Sequence, residues 1–99
     1  MIHLNIGSNL NSIFGSRYEN ITLAVERLIE SKIKIIKISN FYETPSYPNL
    51  NFPKFLNIGI YANFDRSHFD LLREINLIEK KIGRIKTKRN DPRVIDIDI

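Results

Sequence analysis

Asn90-Asp91-Pro92-Arg93-Val94-Ile95-Asp96-Ile97-Asp98-Ile99 ends the sequence on a strand of two characters. Successive side chains of a strand alternate between faces, so Ile95, Ile97 and Ile99 point one way and Val94, Asp96 and Asp98 the other. The two carboxylates stand on one face, roughly 6 to 7 Å apart from Cα to Cα. Like charges so placed repel, which raises one pKa or loosens the strand unless a divalent cation bridges them. A wet strand end carrying two aspartates is the plainer alternative and stays open, although Asp is disfavoured in strands and two in an Ile-rich strand need a reason.

Just upstream lie Arg84, Lys86, Lys88, Arg89 and Arg93. Carboxylates for a hard cation beside guanidinium and ammonium groups for phosphoryl oxygens are what a magnesium-bound polyphosphate needs. Five neighbouring cations repel when no anion is present, so this segment is expected to order on binding phosphate. It follows a helix that starts at Ser67 and Asp70, carries Leu71, Leu72, Ile75, Ile78 and Ile82 on one flank, and terminates at Gly83.

Phe55 to Asn63 alternates as a strand, with Leu56, Ile58, Ile60 and Ala62 on one face and Phe55, Asn57, Gly59 and Tyr61 on the other. Asn57 interrupts a face that otherwise looks buried. Its planar amide can pair with a heterocycle or satisfy a loop carbonyl. Before it runs 45–54, PSYPNLNFPK, a long connection for so small a domain. Tyr47 and Phe52 there can either close over a flat ring or pack as a satellite core.

Residues 32–40 form another strand whose period slips between Ile33/Ile35 and Ile36/Ile38, which a bulge would reconcile. Phe41 to Thr44 extend it until Pro45 stops simple pairing. Ser16 with Glu19 makes a capping box for a helix over 17–31 bearing Tyr18, Ile21, Val25, Leu28 and Ile29. Ile2, Leu4 and Ile6 alternate with His3 and Asn5 in a first strand that exits into Gly7-Ser8-Asn9-Leu10-Asn11, a turn whose backbone and amide groups can meet a ligand. His3 reads as solvent-facing or locally bonded.

The order strand, helix, strand, strand, helix, strand predicts an α+β fold: a ferredoxin-like βαββαβ sandwich whose four-stranded antiparallel sheet carries both helices on one face. The final strand completes that arrangement. The helix-free face is left for a ligand, a partner such as a second copy in a homodimer, or further chain.

With 99 residues, one domain spanning 1–99 is expected. The sequence contains no cysteine, which removes disulfides and thiolate chemistry and suits a cytoplasmic location. No run approaches the roughly 18 apolar residues of a membrane helix. The net charge of +4 gathers between Lys80 and Arg93 and favours an anionic ligand. Nucleic acid is not expected as a partner, because Asp96 and Asp98 would repel its backbone and no RRM-like aromatic pattern is present. No P-loop or dinucleotide-binding glycine run occurs.

IGSNL at 6–10, FYETP at 41–45, FLN at 55–57, Gly83-Arg84 and DPRVIDIDI at 91–99 together resemble the 6-hydroxymethyl-7,8-dihydropterin pyrophosphokinase family of folate biosynthesis. The last of these, Pro-Arg followed two residues later by Asp-x-Asp, is the specific one. The resemblance covers essentially the whole chain. It implies transfer of pyrophosphate from ATP to 6-hydroxymethyl-7,8-dihydropterin with release of AMP, in an enzyme that uses ATP as co-substrate and two Mg2+ ions.

By position, the resemblance makes Asp96 and Asp98 the metal ligands and Arg84, Arg89 and Arg93 catalytic arginines. Asn76, Arg84, Lys86 and Arg93 would face the nucleotide, with Asn76 and Glu79 placed to contribute either to the nucleotide side or to arginine positioning. Thr44, Pro45, Tyr47, Phe55 and Asn57 would line the pterin pocket. Two departures stand out. Asn90 occupies the place of a loop tryptophan in a loop one residue short of the family pattern. The chain also stops just after the metal aspartates, so it is expected to lack the usual C-terminal region with its ATP-facing histidines and second stacking aromatic. A pterin- or nucleotide-binding remnant of impaired activity, serving as a binding or assembly domain, is the alternative that this departure implies.

Overall fold

A computed structural model of the protein describes residues 1–85 and 90–99. In chain order the elements are β1 (Ile2–Ser8), α1 (Arg17–Glu30), β2 (Lys34–Ile38), β3 (Tyr42–Thr44), β4 (Phe55–Asn63), α2 (His68–Ile82) and β5 (Asp96–Asp98). The sheet order is β2-β4-β1-β5, with β3 also on β4, and every pairing is antiparallel. The expected α+β architecture is present. Its sheet has five strands in four positions, because β2 covers the end of β4 from Ile60 to Asn63 and β3 covers Phe55 to Asn57.

The slip in hydrophobic period explains that division. The β2 register shifts between Ile35 and Lys37, leaving Ile36 as the extra residue of a bulge. Beyond β2 the Ser39 hydroxyl accepts the Gly59 N–H at 2.8 Å, and Ser39 N–H donates to Gly59 O at 2.9 Å. Gly59 thus keeps both backbone bonds across the gap between β2 and β3.

Both helices begin at capping boxes, Ser16 with Glu19 and Ser67 with Asp70. Gly83, at φ 114°, ends α2 by sending its own N–H to Lys80 O at 3.1 Å and that of Arg84 to Glu79 O at 3.0 Å. This left-handed reversal returns the chain toward the sheet and brings Arg84 back beside Glu79. The helices pack against each other, α1 on β1 and β4 and α2 on β5.

Between the layers lie Leu4, Ile6, Ile21, Leu28, Ile58, Ile60, Ile75, Ile78, Ile95 and Ile97. Each such side chain contributes about 1.5–3 kcal/mol by leaving water. Tyr18, Ile29 and Leu72, which share the apolar spacing of the helices, are substantially exposed. Buried Asn20 replaces part of that face by donating to Leu10 O at 3.0 Å and Ser8 Oγ at 3.3 Å. No helix among the described residues is long and apolar enough to cross a membrane.

Candidate active site on the open sheet face

Register alone assembles the candidate site. Gly7 pairs with Asn57 on one side and Asp96 on the other, and Asn5 likewise pairs with Gly59 and Asp98. Cross-strand partners share a face, so Asp96, Gly7 and Asn57 form one row and Asp98, Asn5 and Gly59 the next. The neighbouring residues Leu4, Ile6, Ile58, Ile60 and Ile97 are buried in the core, which turns these rows to the helix-free side. Asp96 and Asn57 are two strand spacings apart, about 10 Å.

The floor between them is glycine, and the space above it is already bounded. A Cβ on Gly7 would lie 2.9 Å from Asn57 Oδ1 and 3.4 Å from Phe55 Cδ1. Asn57 is 6% exposed and donates to Thr44 Oγ1 at 2.9 Å, which fixes its amide with the carbonyl oxygen over Gly7. Phe55 and Thr44 are half-buried at the same end. Pro45 is exposed, and Tyr47 is 70% exposed. Tyr42 reaches across the face to donate its hydroxyl to Asn5 Oδ1 at 2.8 Å.

The other end is electrostatic. Arg84 Nη1 donates to Glu79 Oε2 at 2.5 Å and to Asp96 Oδ1 at 3.0 Å, and Arg93 Nη1 lies 3.8 Å from Asp96 Oδ2. Glu79 Oε2 also accepts the Ile97 N–H at 2.9 Å, tying α2 to β5. Partial burial works against the charge on Arg84, but Glu79 and then Asp96 hold its pKa above the ordinary value. Burial pushes the Glu79 carboxyl up despite the opposing pull of Ile97 N–H and Arg84.

Partial withdrawal from water, then the charge of Asp96 beside it, pushes the Asp98 carboxyl up, with Arg84 and Arg93 offsetting only part. This negative charge is incompletely compensated by the arginines. A divalent cation would relieve it, and two carboxylates are a donor set suited to Mg2+, which takes its remaining oxygens from phosphates and water. No group of three or more His, Asp or Glu side chains placed to hold a metal occurs among the described residues. A metal at Asp96 and Asp98 would complete its shell with oxygens beyond these two carboxylates, such as those of phosphate and water.

The sequence profile of 7,8-dihydro-6-hydroxymethylpterin-pyrophosphokinase (HPPK) matches residues 3–99. The chain belongs to the HPPK family. A 2-amino-4-hydroxy-6-hydroxymethyldihydropteridine pyrophosphokinase of Aquifex aeolicus is 37% identical over 98 residues, 99% of this chain and 58% of the relative. The enzyme of the same name from Methylorubrum extorquens is 32% identical over 98% of this chain and 60% of its own length. Folic acid synthesis protein FOL1 of Dictyostelium discoideum is 37% identical over 100% of this chain and 14% of its own. The chain thus spans about three fifths of the shorter HPPK relatives and a small part of the longer one.

Of the residues singled out from sequence, the fold gathers Asp96, Asp98, Arg84, Arg93 and Glu79 at one end and Asn57, Thr44 and Phe55 at the other. Asn76 is exposed on α2 one turn before Glu79, and none of its side-chain atoms bonds to these groups. Lys86 and Arg89 lie outside the described residues. The sequence marked the exit of β1 as able to meet a ligand, but not Gly7 as a floor, the Tyr42 bond to Asn5 or the burial of Asn9. The signal for Gly7 and Asn9 was the run of short residues where β1 leaves the sheet.

Proposed function

We propose that the protein transfers the β,γ-pyrophosphoryl group of ATP to the hydroxymethyl oxygen of 6-hydroxymethyl-7,8-dihydropterin in folate biosynthesis, releasing AMP. The observation that carries this reading is the row Asp96–Gly7–Asn57, which sets carboxylates and an anchored amide on one face with an open floor between them. Asn57 and Thr44 offer polar atoms to the edge of a pterin, and Phe55 offers a wall to its ring. Arg84 and Arg93, beside Asp96, address the phosphates. Asp96 and Asp98 hold the magnesium, two ions by family likeness.

Bound magnesium supplies charge neutralisation on the phosphoryl oxygens and acidifies the alcohol. In the transfer, a bond forms between the alcohol oxygen and the β-phosphorus while the β-phosphorus bond to the oxygen bridging to the α-phosphate breaks. AMP leaves with that oxygen, and the alcohol proton passes to solvent. The chain's contribution is alignment of the two substrates and exclusion of water, with no dedicated general base assigned. The open face is given to substrates and not to a homodimer contact, since self-association there would bury Asp96 and Asp98 without compensation.

Incubating the protein with Mg2+, ATP and 6-hydroxymethyl-7,8-dihydropterin is expected to yield AMP and pterin diphosphate in equal amounts. ADP as the product, or AMP formed without pterin, would contradict the reading. Binding of both ligands without AMP would instead identify a binding remnant.

The floor gives a second expectation. Gly7→Ala puts a methyl against Asn57 Oδ1, and the amide cannot yield without losing Thr44. Pterin affinity measured by calorimetry falls about tenfold, the equivalent of one well-made hydrogen bond. Unchanged affinity would move the pterin off this floor.

A further inference from the structure

Asn9 follows β1, is 2% exposed, and has its side-chain polar groups engaged by two separate segments. Its Nδ2 donates to Ser46 Oγ at 2.9 Å and to Pro53 O at 3.1 Å. Its Oδ1 accepts the Arg93 N–H at 2.8 Å, and its backbone N–H donates to Arg93 O at 3.1 Å. Ser46, 3% exposed, donates in turn to Pro53 O at 2.6 Å.

One planar amide therefore fastens both ends of the 46–53 loop with its donor edge and pins the entry to β5 with its acceptor. Upstream of Ser46, Thr44 and Pro45 lead into the pterin end of the face. On the other side, Arg93 and Asp96 form its phosphate end. The amide is rigid and enclosed, so displacing either segment turns it against the other. Nothing in a turn at the end of a strand calls for a buried amide with partners so distant in sequence.

We propose that Asn9 is a positioning residue that couples the two halves of the site, so that nucleotide bound near Arg93 and Asp96 raises affinity for pterin beside Thr44 and Asn57. The inference rests on the function proposed above. Coupling between two sites is reciprocal in binding free energy, so pterin raises nucleotide affinity by the same factor.

The experiment measures the pterin dissociation constant of the protein by calorimetry, with and without Mg2+ and a non-hydrolysable ATP analogue. The ratio of the two constants is the readout. Asn9→Ala is expected to cut the enhancement by about fivefold or more, the lower end of typical coupling. The bond from Asn9 N–H to Arg93 O survives this substitution, so affinity for the nucleotide analogue alone falls by a smaller factor than the enhancement does.

Ser46→Ala provides a milder variant that leaves both Arg93 bonds in place, and it also lowers the ratio. Ser46→Thr keeps the hydroxyl and restores it. A merely structural role would lower the melting temperature of these variants and leave the ratio unchanged, which would overturn the proposal. A wild-type protein that binds both ligands without enhancement would also overturn it while sparing the proposed function. Failure to bind either ligand would remove both.

Discussion

Asp96→Ala is expected to lower AMP-forming turnover about a thousandfold or more, as the removal of charge stabilisation at a phosphoryl-transfer site does. Three roles end at once. The carboxylate is one of two that would hold magnesium, the acceptor of Arg84 at 3.0 Å, and the nearest anion to Arg93 at 3.8 Å. Its loss therefore removes a proposed ligand, takes away the anion beside Arg93 and leaves Arg84 with Glu79 alone.

The fold should persist in this variant. β5 is held by backbone pairing to β1 and by Ile95 and Ile97 in the core, and Glu79 still neutralises Arg84. The check is AMP release together with a Mn2+ titration and a thermal melt. Turnover lost with metal affinity and melting temperature both unchanged would mean that Asp96 acts otherwise than through a cation. Retained turnover would place the reaction elsewhere.

Glu79→Ala is expected to cost about 3 kcal/mol of stability in a urea titration. Glu79 is only 8% exposed, and one oxygen serves both Arg84 and the Ile97 N–H. Alanine leaves that N–H buried without an acceptor and strips Arg84 of its nearer anion. Because β5 carries Asp96 and Asp98, turnover falls with stability. A loss under about 0.5 kcal/mol, the range of surface substitutions, would show that the α2–β5 tie is unimportant.

Charge and hydrogen bonding can be separated at the same position. Burial raises the Glu79 pKa above the ordinary 4.5, so the folded chain holds this proton more tightly than the unfolded one. Stability linked to Glu79 is therefore greatest below the ordinary value and declines as pH rises through the raised folded value. In Glu79→Gln that component of the pH dependence disappears. The buried pair is accordingly a device for placing Arg84 more than a large source of stability.

Local signals explain how much of this fold the sequence displayed. Strand Phe55–Asn63 and helix Arg17–Glu30 follow directly from period and capping, and Gly83 ends α2 where a left-handed residue was needed. The last strand is regular only over Asp96–Asp98. Val94 is buried with Ile95, where the chain, held at Arg93 to Asn9, bends into the sheet.

The candidate grouping was legible where its residues sit in one run, as at Arg93, Asp96 and Asp98. It was illegible where the meaning of a residue depends on distant partners. Asn9 meets Ser46 and Arg93 across 37 and 84 positions, and in sequence it is one amide of a strand exit that can meet a ligand, with neither partner in view. Gly7 looked like a turn residue, and its role as floor depends on Asn57 arriving opposite it. The family likeness left Glu79 between the nucleotide side and arginine positioning, and its bond from the Ile97 N–H follows only from α2 packing on β5.

Paramagnetic broadening of amide resonances tests the open-face site most directly. With Mn2+ and a non-hydrolysable ATP analogue, signals from Gly7, Asp96 and Asp98 should broaden first, with the effect fading toward Glu26 and Glu30 on the outer side of α1. Broadening centred on the helices, or none at saturating nucleotide, would contradict a metal–nucleotide site on this face.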